Sequence, residues 1–176
     1  MSIVITGATG QLGRHVVEAL LQRNVPAAEI VAAGRSVEKL ADFAARGVQV
    51  RAMDYTDATS VAQVLKGGSK VLLVSGNEVG ARVDQHRTVI EAAKAQGVEL
   101  LAYTSVANAD TTAMKLAADH QATEAILKDS GSRSPSSATA GTSKTTPTNC
   151  RARSPRAHSP ERRRRQSQCR GPGGLR

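Results

Sequence analysis

S-I-V-I-T-G-A-T-G-Q-L-G, residues 2–13, is the stretch that decides the fold. A short β-branched run leads into three glycines, and residues 11–23 then place apolar side chains at helical spacing. We expect Gly7 to allow the tight turn, Gly10 to let the backbone approach a pyrophosphate, and Gly13 to let the helix pack close to the sheet. A structural turn without a ligand is the alternative. A strand before and a helix after the glycines favour a dinucleotide site, because the helix N-terminus presents free N–H groups to phosphates.

The alternation of strands and helices continues to residue 131. Apolar runs predict further strands at residues 29–33, 48–53, 70–74 and 98–105, and helical spacing predicts helices at residues 37–46, 57–66, 81–96 and 114–130. Asp57 is a predicted N-cap and Gly97 a predicted C-terminal cap. Strands that are apolar on both faces and alternate with helices imply right-handed crossovers and a covered parallel sheet. We predict a doubly wound, Rossmann-like α/β fold with five strands in the spatial order 3-2-1-4-5.

The composition changes abruptly after Gly131. Residues 132–176 carry 11 of the 24 Lys and Arg residues but one of the 15 Asp and Glu residues. We therefore predict an NAD(P)-binding domain at residues 1–131 and a disordered Ser/Pro/Arg-rich tail at residues 132–176, which cannot offset the entropy of ordering. Cys150 and Cys169 lie in that tail and suggest neither a disulfide framework nor a metal site. Without a targeting signal or a membrane-length apolar segment, a cytoplasmic location is expected.

The residues after the second predicted strand bear on the choice of cofactor. An NAD-preferring site usually carries an acidic residue there, which binds the ribose 2′-hydroxyl. This chain reads A-A-G-R-S at residues 32–36, with Arg35 and no acid. A guanidinium suits the 2′-phosphate of NADP through charge and paired hydrogen bonds. We expect NADP(H) to be preferred over NAD(H); a solvated arginine at a helix start is the alternative.

Motifs spread along residues 1–131 carry a family resemblance. They are G-A-T-G-Q-L-G at 7–13, G-R at 34–35, D-Y-T-D at 54–57, V-S-G-N-E-V-G-A-R at 74–82, A-Y-T-S at 102–105 and H-Q-A-T-E-A at 120–125. Together they resemble the NmrA-like, quinone-reductase-type branch of the atypical short-chain dehydrogenases. The resemblance implies that NADP(H) is bound by Gly7, Thr9, Gly10, Gln11, Leu12, Gly13 and Arg35, with Asp54 near the adenine. It also implies that the ribose and nicotinamide are lined by Ser75, Gly76 and Asn77.

The resemblance implies hydride transfer from NADPH to a quinone or a related carbonyl compound. The Tyr-x-x-x-Lys dyad of better-known short-chain dehydrogenases is absent, since Thr111 stands four residues before Lys115. Tyr103 and Ser105, at the end of the fifth strand, are the remaining catalytic candidates, although a strand-end serine is as often structural. Water can protonate a hydroquinone anion, so positioning could carry much of the catalysis. The alternative is a non-catalytic, NADP(H)-sensing regulator; a homodimer is compatible with either, and no membrane partner is expected.

Two histidines come into question as functional groups. His86 shares a predicted helical face with Val83, Ile90 and Ala93, which indicates a core or interface histidine rather than a base. His120 is expected near the substrate side.

The tail departs from the family pattern. In that family a strand and a substrate loop of the form L-P-F-T-x-L-R-N-G-W-Y-x-E-N-Y follow this point, whereas residues 132–150 read S-R-S-P-S-S-A-T-A-G-T-S-K-T-T-P-T-N-C. If one base was lost after the Gly131 codon, the same codons can decode to the family sequence. We therefore expect an out-of-frame tail, a lost sixth strand and impaired turnover. A basic arm at residues 162–165 that binds nucleic acid is the disfavoured alternative, because no aromatic side chain is interleaved for base stacking.

Overall fold

Five parallel strands form one sheet in the computed structural model, which describes residues 1–78, 80–109 and 116–131. The strands are β1 (Ser2–Ile5), β2 (Ile30–Gly34), β3 (Gln49–Ala52), β4 (Gly68–Leu73) and β5 (Leu100–Tyr103). The helices are α1 (Gln11–Gln22), α2 (Ala41–Ala45), α3 (Ala58–Leu65), α4 (Arg82–Ala95) and α5 (Ala117–Asp129), with short 3-10 turns at Ala27–Glu29 and Val37–Leu40. The predictions for the tail and for Thr111 and Lys115 lie outside the described residues.

The strand order is β3-β2-β1-β4-β5, which confirms the predicted order and the parallel sheet. In the central strand, Val4 lies opposite Val31 of β2 on one side and Val71 of β4 on the other. From β1 the chain first adds β2 and β3 on one side of the sheet, and then β4 and β5 on the other side. The switch point therefore lies at the carboxyl end of β1, where open α/β sheets leave a crevice for ligands.

Apolar side chains cover both faces of the sheet. Val4 and Ile5 follow each other in β1 and are both fully buried, in two different clusters. The Ile5 cluster includes Leu40 and Phe43, and the Val4 cluster includes Leu101 of the edge strand β5. Because successive strand residues point to opposite faces, the two clusters are the layers beneath the two sets of helices.

The predicted helix ends are largely confirmed. Asp57 accepts a hydrogen bond from the Thr59 N–H at 2.8 Å, as expected of an N-cap. Gly97 has φ +67°, and the N–H of Val98 closes α4 on the carbonyl of Ala93 at 3.0 Å. Within the described residues, none of the helices combines the length and apolarity needed to cross a bilayer.

The helix predicted at residues 37–46 is wrong as a single helix. Val37–Leu40 forms a 3-10 turn, and only Ala41–Ala45 is α-helical. Ser36 makes no capping hydrogen bond with its side chain, so nothing there satisfies the first N–H groups of an α-helix. The segment therefore begins as a 3-10 turn and becomes α-helical only at Ala41.

Candidate cofactor site

A cavity of about 360 Å³ opens at the carboxyl ends of β1, β2 and β4, at the switch point of the sheet. Its wall contains every residue predicted to bind the cofactor: Gly7, Thr9, Gly10, Gln11, Leu12, Gly13, Arg35, Asp54, Ser75, Gly76 and Asn77. Tyr55, Glu78 and Gln85 also line the cavity, and the sequence predicted no role for them. Tyr55 and Glu78 stand inside the motifs quoted for the resemblance, which was the only available signal for them.

The glycine loop packs tightly at one end and is open at the other. Gly7 has φ +60°, a conformation that side chains rarely adopt. A Cβ on Gly13 would lie 2.4 Å from the Gly7 carbonyl oxygen and 2.6 Å from the Ala8 Cα, so only glycine fits there. A Cβ on Gly10 would meet only the Gly7 oxygen, at 3.4 Å. The space above Gly10 therefore lets a ligand approach the backbone where α1 begins.

The floor of the cavity is joined by hydrogen bonds between three strand ends. The Tyr55 hydroxyl, beyond β3, lies 3.0 Å from the carbonyl oxygen of Val74, beyond β4, and contacts the Thr6 hydroxyl, beyond β1. Thr6 Oγ1 also accepts the Val74 N–H at 3.0 Å. Burial raises the pKa of Tyr55 to about 12, so its phenol stays neutral. Tyr55 therefore has a structural role, in which its hydroxyl connects the ends of β1 and β4 beneath the cavity.

The β2 side of the cavity carries one cation and one anion. The Arg35 side chain is 62% exposed and its Nη1 lies 2.8 Å from Glu78 Oε1. The Asp54 carboxylate accepts hydrogen bonds from the Thr56 N–H at 2.9 Å and the Thr56 hydroxyl at 2.8 Å, and these bonds lower the pKa of Asp54. Asp54 is therefore a fixed negative charge at the edge of the cavity.

The opposite wall, residues 75–77, is held in place by buried polar groups. The Gly76 N–H donates to Nε2 of His86 at 3.0 Å, and Arg82 Nε donates to the Gly76 carbonyl at 2.6 Å. Arg82 is 4% exposed and its Nη1 lies 3.3 Å from the Asp119 carboxylate of α5. The Ser75 N–H donates to Thr104 Oγ1 at 2.8 Å. Backbone position at this wall is therefore set by α4, α5 and the end of β5.

His86 is fully buried, which confirms a core histidine. Its Nε2 accepts from Gly76, so the ring proton resides on Nδ1 and is directed to Thr123 Oγ1 at 3.1 Å. Burial, together with the nearby Arg82 cation, lowers the pKa of His86 to about 4.

Acidification from pH 6.5 toward pH 4 is expected to destabilise the fold through His86. In this window the ring is neutral in the folded state but takes up a proton in the unfolded chain, so the unfolded state binds more protons. The free energy of unfolding should therefore rise with pH across the window, by at most about 1.4 kcal/mol per pH unit. His120, whose pKa burial also lowers, adds to the same trend.

Urea unfolding at several pH values measures this slope. His86→Gln should reduce it, whereas His15→Gln, at an exposed position of α1, should leave it unchanged. An undiminished slope in His86→Gln would show that other groups cause the pH dependence.

Neither of the two catalytic candidates lines the cavity. The Tyr103 hydroxyl lies 2.7 Å from Nδ1 of His120, and the Ser105 hydroxyl donates to the Glu124 carboxylate of α5. Burial raises the pKa of Tyr103 to about 12. The strand predicted at residues 98–105 is shorter in the structure, where β5 ends at Tyr103 and Ser105 lies two residues beyond it. Thr104, between them, is the residue whose side chain contacts the cavity wall, at the Ser75 N–H.

A parallel sheet with a glycine loop at its switch point and a polar cavity above that loop defines a dinucleotide-binding protein of the Rossmann type. A family model described as NAD(P)H-binding matches residues 7–133, and the chain belongs to this NAD(P)H-binding family.

Relatives of known activity support the resemblance found in the sequence. Quinone oxidoreductase 2 of Escherichia coli is 51% identical over 129 residues, which are 73% of this chain and 45% of that protein. An NmrA-like family domain-containing oxidoreductase of Aspergillus flavus is 35% identical over 138 residues, 74% of this chain and 45% of that protein. The predicted likeness to NmrA-like and quinone-reductase-type proteins is thereby confirmed. The chain spans about half the length of these curated relatives.

Solved structures similar to this chain include proteins of the same kind. A triphenylmethane reductase of Citrobacter superposes with a TM-score of 0.73 at 40% identity, covering 76% of this chain and 47% of that chain. An NADPH-dependent quinone oxidoreductase of Escherichia coli, solved in complex with NADPH, gives a TM-score of 0.69 at 51% identity, covering 74% and 46%.

Proposed function

We propose that this chain binds NADP(H) in the cavity at the switch point and transfers a hydride from NADPH to a quinone or a related carbonyl compound. The observation that carries the proposal is the cavity wall, which joins the glycine loop to Arg35 in one 360 Å³ space. The similar quinone oxidoreductase of Escherichia coli was solved with NADPH, which supports the choice of cofactor. A cytoplasmic location and a homodimer stay predictions.

The wall supplies a different contact for each part of the cofactor. The start of α1 offers N–H groups and a partial positive charge to the pyrophosphate, and the open side of Gly10 admits it. Arg35 would bind the 2′-phosphate, and the Asp54 carboxylate would lie near the adenine. Ser75, Gly76 and Asn77 would hold the nicotinamide end, where bound NADPH supplies the hydride.

Proton transfer is proposed to rely on water rather than on a side chain. Tyr103 and Ser105 are engaged with His120 and Glu124, and neither lines the cavity. When a quinone accepts a hydride it becomes a hydroquinone anion, and one proton from water completes the hydroquinone. The chain would then contribute chiefly by holding donor and acceptor in contact.

The second candidate function is a non-catalytic sensor of NADP(H). The orientation of Tyr103 and Ser105 toward α5 favours it, because a sensor needs the pocket but no donor at the reacting ring. Stopped-flow oxidation of NADPH with small quinones separates the two functions, and NADPH fluorescence measures binding in parallel. Oxidation that depends on the quinone supports the reductase. Because the present chain is proposed to turn over poorly, the decisive measurement uses the chain with one base restored after the Gly131 codon. Binding without oxidation by that chain supports the sensor and contradicts the reductase.

We further propose that residues 132–176 are read out of frame and that the chain turns over poorly. The family model ends at residue 133, close to the change in composition, which supports this interpretation. Restoring one base after the Gly131 codon should give a family-like continuation that contains a tryptophan, a residue this chain lacks. Coding DNA without such a continuation, or efficient quinone reduction by the present chain, would contradict it.

A further inference from the structure

The Arg35–Glu78 ion pair joins two parts of the wall of the cofactor cavity. Arg35 follows β2 and Glu78 follows β4, and β1 with its glycine loop lies between these strands. The Nη1–Oε1 distance is 2.8 Å, and both residues line the cavity. The two residues are 43 positions apart in sequence, so the fold rather than the local sequence brings them together. The guanidinium proposed to bind the 2′-phosphate therefore already has an anionic partner.

Glu78 is the anchored member of this pair. Its second oxygen, Oε2, accepts a hydrogen bond from Gln85 Nε2 at 2.6 Å, and Gln85 is only 7% exposed on α4. The Arg35 side chain is 62% exposed. An exposed pair is weak, so the guanidinium can leave the carboxylate at small cost. Arg35 can thus move between partners while Glu78 stays at the cavity wall.

We propose that Glu78 is a specificity-determining residue that competes with the cofactor's 2′-phosphate for Arg35. This inference rests on the proposed function. A carboxylate and a phosphate are both anions that pair with a guanidinium, so one displaces the other. NADP(H) binds only after the ion pair breaks, and the Arg35–Glu78 pair forms again when the cofactor dissociates. A ligand without a 2′-phosphate does not engage in this exchange.

The test uses Glu78→Gln, which removes the charge but keeps the length and an oxygen for the Gln85 amide. The probes are adenosine 2′,5′-bisphosphate, which carries the 2′-phosphate, and adenosine 5′-monophosphate, which lacks it. Calorimetry should show the bisphosphate binding about fivefold more tightly to the variant, the upper value expected for an exposed pair. The affinity for the monophosphate should stay the same.

Glu18→Gln is the matched control. It breaks the Arg46–Glu18 pair, whose side chains are 46% and 38% exposed and which does not line the cavity. Neither affinity should change in this variant. In an Arg35→Gln background, Glu78→Gln should no longer increase the affinity for the bisphosphate, because the guanidinium for which the two anions compete is absent.

Three results would overturn the role of Glu78. The first is an unchanged affinity of Glu78→Gln for the bisphosphate. The second is a weaker affinity, which would mean that Glu78 positions Arg35 for the phosphate. The third is a gain in affinity for the bisphosphate that persists when Arg35 is replaced. If the unaltered chain binds the bisphosphate no more tightly than the monophosphate, the proposed NADP(H) function fails, and this inference with it. If the unaltered chain binds the bisphosphate more tightly than the monophosphate and Glu78→Gln changes neither affinity, only the proposed role of Glu78 is refuted.

Discussion

Gly13→Ala should lower the free energy of unfolding by about 2–3 kcal/mol. The new Cβ would lie 2.4 Å from the Gly7 carbonyl oxygen and 2.6 Å from the Ala8 Cα, both backbone atoms, so α1 must move away from the loop. Alanine is the better helix former by up to about 1 kcal/mol, which offsets only part of this cost. Urea unfolding monitored by circular dichroism measures the difference.

Gly10→Ala is the control within the same loop. Gly10 has φ −85°, which alanine adopts freely, and its Cβ would meet a single atom at 3.4 Å. Stability should stay within about 0.5 kcal/mol of the unaltered chain. NADPH binding should nevertheless weaken, because the methyl group occupies the space proposed for the pyrophosphate. A Gly13→Ala variant as stable as the parent would mean that α1 shifts without cost.

Arg35→Asp should weaken NADPH binding by about 100-fold, because a charge-assisted hydrogen bond is lost and the new carboxylate repels the 2′-phosphate. NADH, which lacks that phosphate, should lose far less affinity. Quenching or enhancement of nicotinamide fluorescence on titration gives both dissociation constants.

Arg46→Asp is the matched control, since Arg46 is an exposed, paired arginine that does not line the cavity. Both cofactors should bind this variant as they bind the parent. Equal losses of NADPH and NADH in Arg35→Asp would contradict the assignment of Arg35 to the 2′-phosphate.

The sequence predicted most of the fold because its signals are local. The glycine loop after β1, the Asp57 cap and the glycine that ends α4 are each set by neighbours within a few residues. Alternation of strands and helices then leaves few ways to order a parallel sheet. The segment at residues 37–46 differs because apolar spacing does not distinguish a 3-10 start from an α-helical one, and Ser36 supplies no side-chain cap.

The contacts inside the site could not be predicted in the same way. Arg35 was recognised by its position after β2, but nothing in its surroundings points to Glu78, which follows a different strand. The same holds for the Tyr55 hydroxyl beside Thr6, 49 positions away. For Tyr103 and Ser105 the predicted strand was too long, since β5 ends at Tyr103, and both hydroxyls contact side chains of α5. Side-chain direction and strand order together decide such contacts.

The Arg82–Asp119 pair has a consequence for how the site matures during synthesis. The residues of the glycine loop and of the end of β2 leave the ribosome early, because β2 ends at Gly34. The wall at residues 75–77 depends on Arg82, a guanidinium 4% exposed whose carboxylate partner arrives only with α5. A buried cation without its partner is costly, so that wall cannot settle earlier. A nascent chain should therefore form the glycine-loop end of its cavity before the wall at residues 75–77.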